Sequence, residues 1–164
     1  MKKILAMLTL VVMVMSLFAA CGSGATGGNA GGNKEGDTMD LTAMVDKLYE
    51  GIKADNMPMV MTQEVPADAF EGVFFIPAVE GATGVMSEPM MSSIAHSVCI
   101  MRVAEGTDVE ATRAAIEANM NPRKWLCVEA EKAGVIANGN TILLVMTAEA
   151  NYQTIVDNFN ALWA

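Results

Sequence analysis

The chain reads as an α+β protein, an antiparallel sheet with helices packed on one face in a two-layer sandwich, for which a ferredoxin-like arrangement is one wiring. Three observations predict it. Leu41, Met44, Val45, Leu48 and Ile52 recur at helical spacing near the start of the domain, and Tyr152, Ile155, Val156, Phe159 and Leu162 do so at its end. Between them lie short runs rich in β-branched and apolar residues, Ile94 to Ala104 and Thr141 to Met146 among them. Asn138-Gly139 separates two such runs, the strongest short hairpin signal a sequence can carry.

What precedes the domain is of another kind. Lys2-Lys3 form a basic start, and Ile4 to Leu17 follow without a charge. A helix needs about 20 apolar residues to span a bilayer core. This stretch is shorter and is followed by the small residues Ala19-Ala20, the order expected of a signal peptide over residues 1–20. The junction Leu17-Phe18-Ala19-Ala20-Cys21 is similar to the lipobox of bacterial lipoproteins, with Phe18 in place of the usual Leu. That likeness implies a diacylglycerol chain on Cys21 and a lipid anchor on the extracytoplasmic face of the cell membrane. Two acyl chains suffice for stable anchoring, at about 0.8 kcal/mol per buried CH₂, so the expected partner through this end is the membrane itself. Losing Lys2 and Lys3 with the leader moves the net charge from −9 to −11. Such acidity repels nucleic acid and anionic surfaces, and excludes both as partners of the domain.

Residues 21–38 read as linker. Gly22 to Asp37 holds seven glycines and almost no apolar side chain, a composition that predicts a disordered tether. It lacks a preceding strand and a GK[ST] ending, so it is not a phosphate-binding loop.

Residues 39–164 are enough for one domain and too few for a two-lobed solute receptor. Asp40 is the expected N-cap of a helix running to Ala54. Asn56 to Ile76 is mixed: strand-like around Met57, Met59, Val60 and Met61 but interrupted by Pro58, one helical turn at Pro66 to Phe70, then strand-like composition from Gly72. Pro77 to Ser93 has no period and reads as loop. After the strand Ile94 to Ala104, Thr107-Asp108-Val109-Glu110 has the form of a capping box. It opens a helix with Val109, Ile116 and Met120 inward, which Asn121-Pro122 stops. Trp125 to Ala130 is strand-like, and the hairpin and the last helix complete a β-α-β-β-β-α order.

Ser87-Glu88-Pro89-Met90-Met91, His96-Ser97-Val98, Glu105 to Glu110 and Asn121-Pro122-Arg123-Lys124-Trp125 together resemble small exported lipoproteins of Gram-positive anaerobes, a family grouped as a domain of unknown function. The resemblance runs from about Leu41 to the C terminus. It implies an extracytoplasmic, lipid-anchored α+β domain, and brings no activity, cofactor or catalytic residue with it.

Three constellations bear on chemistry. His96 is the single histidine, so any histidine-based acid–base mechanism must use it and a multi-histidine zinc site is excluded. In a strand, His96 and Cys99 fall on opposite faces and cannot form a dyad; His96 is expected near a sheet edge and Cys99 in the core. Met57, Met59 and Met61 would line one face of an extended segment, and thioethers suit Cu(I). Methionine is also an adaptable core filler, abundant even in the leader. Cys99 and Cys127, both in expected strands, are available for a disulfide, but no register is fixed. Acidic residues such as Glu129 and Glu131 read as solvated surface. The expectation is a non-enzymatic, lipid-anchored extracytoplasmic domain that binds an envelope protein or small ligand without a cofactor. The alternatives are a small envelope hydrolase using His96 and a copper-binding protein using Met57, Met59 and Met61.

Overall fold

The structure, a computed structural model, describes residues 34–164. The leader, Cys21 and most of the glycine-rich stretch lie outside them. No helix among the described residues is long and apolar enough to cross a membrane.

The elements are α1 (Glu35–Thr38), α2 (Leu41–Leu48), β1 (Val60–Glu64), α3 (Phe70–Phe74), β2 (Thr83–Pro89), β3 (Ser97–Arg102), α4 (Val109–Asn119), β4 (Lys132–Asn138), β5 (Thr141–Thr147) and α5 (Glu149–Ala161). The five strands form one antiparallel sheet in the order β1-β2-β3-β5-β4. The α+β class and the antiparallel sheet are as expected. The wiring is not ferredoxin-like: β1, β2 and β3 form a meander, and α4 carries the chain across β5 to the far edge.

Helices cover both faces rather than one. Leu41, Met44, Val45 and Leu48 of α2 and Ile155 and Phe159 of α5 pack on Val85, Val98, Ile100, Leu143 and Val145. On the other face Phe70, Val73 and Phe74 of α3 and Ile116 of α4 pack on Cys99, Met101, Ile142, Leu144 and Met146. β3 and β5 therefore have no wet side, which is why they are unbroken apolar runs instead of alternating ones. Each fully buried Leu or Ile in these runs contributes about 1.5–3 kcal/mol.

Several local expectations change. The first helix ends at Leu48, not Ala54, and Gly51 follows it in a turn at φ 80°. Asp40 is its N-cap as expected, accepting from the Thr42 and Ala43 N–H groups at 2.9 and 3.0 Å. The turn at Pro66 to Phe70 continues into α3, because Phe70, Val73 and Phe74 form a helical stripe where strand was expected. Phe75 ends it at φ 61°. The loop expected from Pro77 to Ser93 contains β2, an interior strand. Trp125 to Ala130 is a loop, closed by the Ala130 N–H donating to the Pro122 carbonyl at 3.0 Å. The N-cap of α4 is Asp108 rather than Thr107; its carboxylate accepts from the Ala111 N–H at 2.9 Å. The β4–β5 hairpin forms, but Asn138 pairs with Thr141, so the two turn residues are Gly139 and Asn140. Gly139 stands at φ 55° in the first turn position, where a side chain would be strained.

The linker expected to reach residue 38 ends sooner. Gly36 lies against the Trp163 ring and its N–H donates to the Leu162 carbonyl at 3.0 Å. Asp37 accepts from Trp163 Nε1 at 2.8 Å, and Arg102 donates to the carbonyls of Gly36 and Met39 at 2.7 and 2.9 Å. Residues 34–38 thus belong to the domain, docked where β3 ends and β5 begins.

Candidate functional site

The opposite end of the sheet, where β2 finishes and β3 starts, gathers the buried polar side chains Ser87, His96, Ser97 and Thr147. Strand alternation sorts them into two sets. Ser87 and His96 face α2 and α5; Glu88 and Ser97 face the loop between α4 and β4.

On the first face His96 is buried, not at a sheet edge, and sits just before the central strand β3. Its Nδ1 is 2.8 Å from the Thr147 hydroxyl and its Nε2 is 3.0 Å from the Tyr49 hydroxyl. Either hydroxyl can donate or accept, so both ring nitrogens of a neutral imidazole are satisfied. Burial lowers the His96 pKa to about 4, only partly opposed by the charge on Glu88. Burial also pushes the Tyr49 hydroxyl well above its ordinary value. Thr62 donates to Ser87 at 3.1 Å across the β1–β2 pair.

On the second face the Ser97 hydroxyl donates to Glu88 Oε1 at 2.6 Å. Lys124 is ion-paired with the same carboxylate, and its Nζ lies 3.3 Å from Ser97 Oγ and 5.3 Å from the centre of the Trp125 ring. Cys99 Sγ is 3.2 Å from Ser97 Oγ. Burial pushes the Cys99 thiol up to about 12.

The chemical capacity of this cluster is low. A serine nucleophile needs a free base beside it, and a lysine serving as that base needs an uncharged amine. Here the Ser97 proton is committed to Glu88, and Lys124 is paired with that carboxylate. A thiol at about 12 is not a thiolate at neutral pH. His96 has hydroxyl partners only and no carboxylate within hydrogen-bond reach. Both sets resemble satisfied buried networks, whose value lies in specifying one packing.

His96 and Cys99 do face opposite sides, as strand alternation requires. Cys127 is exposed in a loop and not in a strand beside Cys99, and both cysteines are free. Among the described residues no three His, Cys, Asp or Glu side chains gather as metal ligands. Glu131 accepts from the Glu149 N–H at 2.8 Å and so caps α5, while Glu129 pairs with Arg123 at 3.4 Å. Of the methionines weighed for a metal, Met57 is half-buried and Met59 and Met61 are exposed.

Sequence reasoning missed Tyr49, Glu88, Lys124 and Thr147. Glu88 and Lys124 are 36 residues apart, and no local pattern joins them. The signal that could have found them was their presence in the short segments quoted above, Ser87 to Met91, His96 to Val98 and Asn121 to Trp125, which meet at this one end.

Compared with known proteins, the chain matches no family model, no curated protein and no solved structure.

This end also carries the exposed apolar side chains: Met59, Met61, Met90, Met91 and Ile94 at the β1 entrance and the β2–β3 turn, and Leu126 in the loop that holds Lys124. Exposure of Leu126 reaches 97% and of Met59 88%, so these side chains are presented rather than grazed by solvent.

Proposed function

We propose that this chain is a lipid-anchored extracytoplasmic lipoprotein, acylated at Cys21, whose domain is a non-enzymatic binding module at the cell envelope. The observation that carries the reading is the run of basic start, short apolar stretch and Leu17-Phe18-Ala19-Ala20-Cys21. The resemblance to exported lipoproteins of Gram-positive anaerobes points the same way. The geometry is compatible with it in a specific manner. The chain joins the domain beside Arg102 and Trp163, at one end of the sheet, and the exposed methionines stand at the other. Strands of six or seven residues separate the two by roughly 20 Å. A domain tethered this way turns its apolar tip outward, towards an envelope partner and away from its own membrane.

Metabolic labelling with a fatty-acid probe tests the anchor. Label is expected on the wild-type chain in the membrane fraction and is expected to vanish in Cys21→Ser. A wild-type chain that is soluble or unlabelled overturns the reading.

A further inference from the structure

Arg102 stands at the end of β3, where the chain enters the domain, and it is half-buried. Its guanidinium commits three of its five N–H groups to neutral oxygens: the Thr141 hydroxyl at 3.3 Å and the carbonyls of Met39 and Gly36 at 2.9 and 2.7 Å. One donor remains on each terminal nitrogen. Among the described residues no carboxylate forms a salt bridge with it. Asp37 and Asp40 act on its charge only through space. A cation held by dipoles alone keeps the capacity to take a carboxylate.

The same residue lines a cleft. A half-open space of about 540 Å³ lies between the start of α2 and the neighbouring ends of β1 and β2, a size suited to a small molecule. The strand register places its charged walls. Glu64 pairs with Val85 and Thr83 pairs with Arg102. Val85 and Ile100 pack towards α2, so Glu64, Thr83 and Arg102 rise from that same face of the sheet. Glu64 and Arg102 lie two strands and two residues apart, which sets their Cα atoms roughly 12 Å from one another. Glu64 is exposed, and no cation pairs with it among the described residues. Asp40 is the second carboxylate of the wall, with its Oδ1 engaged as the cap of α2. Leu41, Val65, Phe70 and Val85 supply apolar surface to the same space.

We propose that this cleft binds a short apolar peptide with free termini, of dipeptide length. Its carboxylate meets the two remaining Arg102 donors and its ammonium meets Glu64. Two extended residues span about 7 Å. A charge-assisted hydrogen bond of about 2.8 Å at each end then matches the separation of the two walls. Thr83, on the strand between them, faces the peptide group, and the apolar wall receives the side chains. Two carboxylates against one guanidinium disfavour a simple anion and favour a ligand that brings its own cation. The site goes beyond the anchoring reading and does not depend on it; a chain that fails to label with lipid can still bind the peptide.

The test is calorimetric titration of the full chain in detergent with the dipeptide leucyl-leucine. The same dipeptide acetylated at its N terminus, or amidated at its C terminus, serves for comparison. The free dipeptide is expected to bind, and each blocking group to weaken binding roughly tenfold. Glu64→Gln should weaken the free dipeptide by a similar factor and leave the acetylated one unchanged, because the ammonium it lacks is the group Glu64 meets. Glu64 is exposed, so circular dichroism of that variant should match the wild type. Replacing Arg102 would also release the carbonyls of Gly36 and Met39, so the carboxylate end is read from the amidated peptide instead. No binding of the free dipeptide, equal binding of free and blocked forms, or a Glu64→Gln effect that is absent or the same for both peptides overturns the proposal.

Discussion

His96 is the residue whose surroundings differ most from what its position in the chain implies. As the single histidine on a strand it invites a catalytic role. The structure instead closes it between two neutral hydroxyls, from Tyr49 and Thr147, with no anion within hydrogen-bond reach to stabilise a proton. That arrangement favours the neutral ring, hence the lowered pKa of about 4. An unfolded histidine titrates near 6.5. Between those values the unfolded chain binds a proton that the folded one does not. Stability is therefore complete above about pH 6.5 and falls as the pH drops towards 4, by roughly 3 kcal/mol in all. Urea unfolding across that range should show the slope in the wild type. His96→Gln should lower stability at neutral pH and flatten the slope, leaving only what the carboxylates contribute. An unchanged slope would mean that the imidazole is accessible to protons in the folded state. The same residue shows why a lone histidine is weak evidence for chemistry: its meaning lies in partners 47 and 51 residues away.

At the scale of the element, apolar spacing located the helices well and their ends badly. The stripe Leu41 to Ile52 continues past the end of α2 because Ile52, though no longer helical, still packs on the same face. Periodicity reports which side chains face the core, and hydrogen bonding decides where the helix stops. The stop has a consequence, since Tyr49 is released in the first residue after α2 and its hydroxyl reaches His96. The start was legible in a single side chain, Asp40. Removing that cap leaves the Thr42 and Ala43 N–H groups without a protein acceptor, so Asp40→Ala should cost about 1 kcal/mol, read as a lowered urea midpoint with an unchanged slope. The missed strand β2 has the opposite lesson. Gly84, Ser87 and Glu88 are poor strand residues by composition. They are tolerated because Phe74 fills the space above Gly84, Thr62 satisfies Ser87, and Ser97 and Lys124 satisfy Glu88. Tertiary partners outweigh the weak local preference.

Across the whole molecule the two ends of the sheet are chemically distinct. One receives the incoming chain through the Arg102 guanidinium, the Asp37–Trp163 hydrogen bond and the contact of Gly36 with the Trp163 ring. A side chain at Gly36 would occupy the space of that ring. Gly36→Leu should therefore undock residues 34–38 without unfolding the sheet, at a global cost below about 2 kcal/mol. Amide exchange tests it: the Gly36 N–H, now bonded to Leu162, should lose protection while the amides of β3 and β5 keep theirs. Loss of protection throughout would show the docking to be part of the cooperative core. With residues 34–38 docked, the chain enters the domain at the end of the sheet opposite the exposed methionines.

The sequence by itself determined the α+β class, the N-cap at Asp40, the β4–β5 hairpin and the C-terminal helix. These rest on contacts between near neighbours, and near neighbours leave periodic or turn-specific traces. The unbroken apolar runs of β3 and β5 marked strands, but only one covered face was expected of the sheet, because short apolar runs do not say what covers them. Only the tertiary structure decided that α2 and α5 lie on one face and α3 and α4 on the other. It alone joined Glu88 to Ser97 and Lys124 and enclosed His96 between Tyr49 and Thr147. Those pairings connect residues far apart along the chain. Their free energy comes from burial and desolvation that exist only once the sheet has closed, so a sequence pattern carries no local record of them.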